Sequence, residues 1–105
     1  MNRSVVLTID TSKSAEASIG LVLDGNRQTL RSSSGKERAQ AALPLITQIL
    51  GENHLTFEDI TEIEVVTGPG SFTGLRVGIA VANTLATILD VPINGGKSLA
   101  RPTYS

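Results

Sequence analysis

No cysteine occurs in the 105 residues. Disulfides, thiolate zinc sites and a cysteine nucleophile are therefore excluded. Histidine is scarce too: His54, in "GENHLTF", stands alone. No acid, serine or second histidine lies at a recognisable spacing from it, so it reads as a surface-loop residue. A Ser-His-Asp triad has no fixed sequence order. A nucleophile elbow G-x-S-x-G is nevertheless missing, because Ser71 lies in Gly70-Ser71-Phe72. Charge of one sign is lacking as well. Nine basic and ten acidic residues leave a net charge of −1, which gives no bulk attraction for nucleic acid. A small basic cluster, Arg27, Arg31, Lys36 and Arg38, reads as a solvated loop. Long apolar runs are also missing. Val5 to Ile9 is too short for a secretory signal, and no window approaches the ~18 apolar residues of a membrane span. The expectation is a soluble, cytoplasmic protein.

Apolar residues make up 40% of the chain and charged residues 18%, the composition of a folded domain. The length suits one core. That domain is expected over 1–96, with 97–105 a tail or the start of a further element. "SVVLTID" (4–10) reads as a strand. "ASIGLVLDGNRQTLRSS" (17–33) reads as two more, joined at Asp24-Gly25-Asn26, since Asp-Gly favours a tight hairpin. Between Glu37 and Leu50, Ala39, Ala42, Leu43, Ile46, Ile49 and Leu50 mark one face of a helix. Pro44 should kink it or mark a later start, and Gly51 is placed to cap its end. Thr56 with Asp59 resembles a capping box. "TEIEVVTG" (61–68) is a fourth strand, Thr73 to Leu89 a second helix, and "VPIN" (91–94) a short fifth strand.

This order predicts an α/β fold. A hairpin-linked trio pairs antiparallel, and right-handed helical crossovers add parallel strands. The expected result is a mixed five-stranded sheet of order 3-2-1-4-5 with both helices on one face, the ribonuclease H-like arrangement. Val5, Leu7 and Ile9 project to one side, with Ile19, Leu21, Leu23, Ile63 and Val65. Thr8, Gly20, Glu62 and Glu64 face the other way.

The turn "GPGSFTG" (68–74) precedes the second helix. Free N–H groups at a helix start make a natural anion site, and Ser71 and Thr73 are available as caps. The standard phosphate motifs fail, however. Gly68, Gly70 and Gly74 give G-x-G-x-x-x-G, one residue too long for a dinucleotide fingerprint. "GGKS" (95–98) has the tail of a P-loop, but Val91 stands where its first glycine belongs. The residues leave two readings open, a structural turn and a ligand contact. A nuclease of ribonuclease H type needs several carboxylates converging on two metal ions. The fourth strand ends in Thr67-Gly68 without an acid, and Glu62 and Glu64 come too early to meet Asp10.

The second helix carries two apolar stripes. One holds Leu75, Gly78, Ile79, Ala82, Leu85, Ala86 and Leu89; the other holds Val77, Val81, Thr84 and Ile88. Covering one sheet face needs a single stripe. The second predicts burial against another chain, with Leu43, Ile46 and Leu50 of the first helix beside it. Arg76 lies near the positive end of this helix, a poor place for a cation unless an acidic group or phosphate meets it.

At these residues the sequence resembles a known family. "TIDTS" (8–12), "ALPLITQIL" (42–50) and "GPGSFTGLRVGIAVANTLA" (68–86) are similar to the TsaB family, accessory subunits of the bacterial machinery that makes threonylcarbamoyladenosine in tRNA. The resemblance runs from about residue 5 to residue 99 and corresponds to the first lobe of a typical member. It implies an actin-like ATPase fold with a degenerate nucleotide site and no independent catalysis. It also implies pairing with the catalytic TsaD subunit, homodimerisation through the same helices in isolation, and a TsaE ATPase completing the assembly, with tRNA touched only indirectly. ATP or ADP would then belong at the subunit junction rather than to this chain alone. An actin-like lobe with partner-dependent ATPase activity is the alternative. By the resemblance, Asp10, Thr11, Ser12, Gly68, Gly70, Ser71, Thr73, Gly74 and Arg76 lie near nucleotide or partner. Leu43, Ile46, Leu50, Val77, Val81, Thr84 and Ile88 form the interface, and no metal is expected. Read by themselves, Asp10, Thr11 and Ser12 are also a strand-end cap for nearby N–H groups. The family's histidine-serine pair is replaced here by Arg38 and Ala39.

Overall fold

The computed structural model describes residues 3–13, 16–32, 38–96 and 99–101. Lys36 of the basic cluster and most of the expected tail, 97–98 and 102–105, lie outside them. Strand β1 (Val5–Asp10) alternates buried and half-buried residues, as a strand between a core and an open face must. Strands β2 (Ala17–Leu23) and β3 (Asn26–Ser32) form the predicted hairpin. Asp24 (φ 50°) and Gly25 (φ 89°) occupy its two turn positions, and Leu23 pairs with Asn26 across it. This is the geometry that Asp-Gly accommodates at low cost. The turn is fastened to β1: Asp24 N–H donates to Ser4 C=O at 3.0 Å, and Ser4 N–H donates to Asp24 Oδ1 at 3.1 Å.

Helix α1 spans Arg38–Glu52 and contains Pro44. It starts six residues before the proline, so the later-start alternative is not what forms. Its end is a correction. His54, not Gly51, takes the left-handed conformation (φ 57°), while Leu55 N–H returns to Leu50 C=O at 2.9 Å. The lone histidine is thus an exposed residue at a helix stop. A short 3-10 turn, Phe57–Asp59, follows. The Asp59 carboxylate accepts from Thr56 N–H at 2.8 Å, the expected half of the capping box. Strand β4 (Glu62–Val65) and helix α2 (Phe72–Leu89) complete the set.

Strand order is β3-β2-β1-β4, with β1 parallel to β4 and antiparallel to β2. Helix α1 packs over β2 and β3, and α2 over β4 and β1. Both therefore lie on one face, as the crossover rule requires. Leu7, Ile9, Ile19, Leu21 and Ile63 project from the sheet to meet Ile46 and Ile49 of α1 and Leu75, Ile79 and Ala82 of α2. None of these is more than 5% exposed.

The fifth strand does not form as expected, so the sheet has four strands among the described residues. Ile93 makes one parallel bridge to Ile63 and one antiparallel bridge to Gly96. The cause is local. Asn94 (φ 51°) and Gly95 (φ 81°) turn the chain back on itself. The Asn94 side chain then stands in for the missing peptide: its Oδ1 accepts from Val65 N–H at 2.8 Å and its Nδ2 donates to Val65 C=O at 3.1 Å. Asn94→Gly keeps the positive-φ turn but removes both bonds. It is expected to lower the unfolding free energy by about 1–2 kcal/mol, measured by urea denaturation.

Candidate functional site

The end of β1 and the start of α2 are built as one unit. Asp10 Oδ1 accepts from Ser12 N–H at 2.9 Å and from Ser12 Oγ at 2.6 Å. This is the local strand-end cap, in which the carboxylate satisfies the turn that follows it. Ser12 C=O in turn accepts from Ser71 N–H at 2.9 Å. Ser71 caps α2, its Oγ accepting from Gly74 N–H at 3.2 Å. A side chain at Gly70 would stand 2.8 Å from both Cβ and the carbonyl oxygen of Ser12. The glycine at 70 is therefore required by the passing β1 exit. Gly68 takes a positive φ of 144°.

Thr11 is 1% exposed. Its hydroxyl donates to Gly74 C=O and accepts from Gly78 N–H at 2.9 Å. The Thr11 hydroxyl, expected by the resemblance near nucleotide or partner, is turned into the protein. Asp10 and Ser12 are bonded to one another, and Ser71 closes the first turn of α2. These residues fit a sealed strand-to-helix junction better than a nucleotide cradle. Thr73 and Arg76 point outward and are exposed.

The outer side of α2 is different in character. A groove of about 370 Å³ is lined by Leu43, Ala80, Val81, Thr84, Leu85 and Ile88. A second, of about 440 Å³, is lined by Thr73, Arg76, Val77, Ala80 and Val81. The two share Ala80 and Val81. They form one strip along α2 from residue 73 to residue 88, about 24 Å at the helical rise. Ile88 is 72% exposed and Leu43 47%. Val77 and Val81 are half-buried.

Two expected interface residues belong elsewhere. Ile46 and Leu50 are 0% and 2% exposed and lie in the core beneath α1. The periodicity of α1 identified its apolar face, and that face is spent on β2 and β3. Ala80 lies on the outer face without having been expected there, since alanine carries little hydrophobic signal; Leu85, on the inward stripe, packs against the core and also lines the groove. Asn83, between the faces, holds the chain at Ala100 through two bonds: Ala100 N–H to its Oδ1 at 2.8 Å and its Nδ2 to Ala100 C=O at 3.0 Å.

The other side of the sheet is polar and concave. Thr8, Asp10, Arg27, Thr29, Arg31, Glu62 and Glu64 line about 670 Å³ of open space. Arg27 and Arg31 of the basic cluster lie on β3, within the stretch expected as strand. Among the described residues no group of three or more potential metal ligands occurs, and no helix is long and apolar enough to cross a membrane.

Comparison with known proteins adds three relationships and a family. A family model, TsaD: tRNA N6-adenosine threonylcarbamoyltransferase, matches residues 31–103. The tRNA threonylcarbamoyladenosine biosynthesis protein TsaB of Escherichia coli (strain K12) is 35% identical over 94 residues, which cover 90% of this chain and 40% of that protein. The protein of the same name from Bacillus subtilis (strain 168) is 39% identical over 64 residues, covering 61% of this chain and 28% of that one. Among solved structures, YeaZ from Pseudomonas aeruginosa superimposes with a TM-score of 0.80 at 31% identity, over 86% of this chain and 42% of that chain. The α/β fold, with its mixed sheet and two helices, is therefore YeaZ-like. This chain spans well under half the length of these relatives.

The Asp10 cap gives a direct test. Asp10→Ala removes the acceptor for Ser12 and is expected to cost about 1 kcal/mol in urea denaturation. Asp10→Asn keeps an acceptor oxygen and should cost less than half of that.

Proposed function

This chain belongs to the family of the TsaD model, tRNA N6-adenosine threonylcarbamoyltransferase, with TsaB sequences as its relatives, and from that premise we propose that it acts as a non-catalytic scaffold lobe. It pairs with a TsaD-type subunit and positions it for transfer of a threonylcarbamoyl group to adenosine in tRNA. The lobe is of the ribonuclease H-like, actin-like class. A TsaE-type ATPase joins the assembly, ATP or ADP sits at the subunit junction, and tRNA is met through the partner. The setting is the cytoplasm.

One observation carries this reading: α2 is apolar on both sides, and its own sheet covers only one. Leaving Ile88 and Leu43 in water is unfavourable, and burying them against a second apolar helix pair recovers roughly 25 cal/mol per Å² of apolar surface. The partner follows from kinship. A chain that matches a TsaD family model shares a lobe design with TsaD, so similar helices can meet across a near-twofold axis. The same logic gives a homodimer when no partner is present. Arg76, at the end of the strip nearest the loop, is placed to meet an acidic group there.

The absence of catalysis is supported by the junction chemistry. Asp10, Thr11 and Ser12 are engaged in holding the strand end and α2. Thr11 is buried, and Asp10 spends Oδ1 on the Ser12 N–H and hydroxyl.

Calorimetry with a TsaD-type subunit tests the reading. Val81→Asp, at the shared wall of the two grooves, is expected to weaken pairing about thirtyfold or more, the scale of a buried hot-spot residue. Arg76→Ala should weaken it less. Unchanged affinity in Val81→Asp would remove the proposed surface.

A further inference from the structure

We infer that Thr11 is a positioning residue. Its buried hydroxyl sets where the first two turns of α2 lie, and so where the outer strip presents Thr73, Arg76 and Val77. The inference deepens the proposed function and rests on the α2 strip being the joining surface.

The geometry is specific. Gly74 C=O and Gly78 N–H lie four residues apart, the spacing of partners in an uninterrupted α-helix. Thr11 Oγ1 bonds to both of them, donating to the first and accepting from the second. A side chain from the tip of β1 thus grips two backbone groups on the inner side of the otherwise continuous α2. The approach is also unusually close. A Cβ at Gly78 would fall on Thr11 Oγ1 and lie 3.3 Å from Ile9 Cγ2. Thr73, Arg76 and Val77 belong to these same two turns but face outward. Moving the inner contact therefore moves the outer surface with it.

The hydroxyl is dispensable for backbone satisfaction, because Gly74 C=O and Gly78 N–H stand at the spacing at which helix groups serve one another. Losing the hydroxyl should then disturb presentation far more than stability, which separates a positioning role from a purely structural one.

Thr11→Val keeps the shape and removes the hydrogen bonds, while Thr11→Ser keeps the hydroxyl. Each is compared with the unaltered chain in melting temperature, in backbone amide resonances of residues 73–78, and in affinity for a TsaD-type subunit. Thr11→Val is expected to melt within about 3 °C of the unaltered chain. It should shift the amide resonances and bind about tenfold more weakly, the scale of one well-made hydrogen bond. Thr11→Ser should match the unaltered chain in resonances and affinity. Unmoved resonances or unchanged affinity in Thr11→Val would overturn the inference. Should Thr11→Val fold poorly, Gly78→Ala crowds the same contact from the helix side, and the same two outcomes are read from it. Failure of the unaltered chain to bind a TsaD-type subunit would sink the proposed function instead, and the resonance comparison would still decide the role of Thr11.

Discussion

Helix α2 lies close against the tip of β1 because two positions, Gly70 and Gly78, carry no side chain where β1 and Thr11 pass. Gly70 lets the β1 exit pass, Gly74 and Gly78 bracket Thr11, and the Thr11 hydroxyl bridges strand and helix. Remove the close approach and α2 stands off the sheet. Leu75 and Ile79 would then leave the core that they share with Leu7, Ile9 and Ile63. Close packing is steep in distance, so small gaps forfeit much of the contact energy. The glycine-rich turn thus lets β1 and α2 pack closely together.

That constraint also divides the surface of the molecule. With α1 and α2 both held on one face, the opposite face of the sheet is left with threonines, arginines and glutamates around an open concavity. It satisfies water directly, as antiparallel sheets commonly do on one side. The apolar surplus is instead displaced to the far side of α2. A lobe arranged in this way keeps its polar groups on the sheet's open face and its exposed apolar groups along one helix.

The relatives make the same division meaningful. They extend well beyond the segment aligned here, and this chain corresponds to 40% of the Escherichia coli protein. What it shares with them includes the whole strand-turn-helix unit. The Thr11 bridge, the Ser71 cap and the Asn83 hold on Ala100 all tie α2 down from its inner side or flank.

Much of this was legible in the residues alone. Alternation in Val5, Leu7 and Ile9 identified the core side of β1, Asp24-Gly25 the hairpin, and the two stripes of α2 its double exposure. Each is a short-range pattern with a fixed physical period, and each survives in the fold. The failures were of another kind. The fifth strand shrank to single bridges because Asn94 turned the chain and its side chain took over the ladder, a choice no pattern of hydrophobicity records. Ile46 and Leu50 looked like interface and proved to be core, since a stripe has no label saying which neighbour it meets. Thr11, read as part of a strand-end cap or as lying near nucleotide or partner, became a bridge to residues 63 and 67 positions away. Local periodicity determined the elements and their faces; only tertiary packing decided which face met which, because that depends on contacts between residues far apart in the chain.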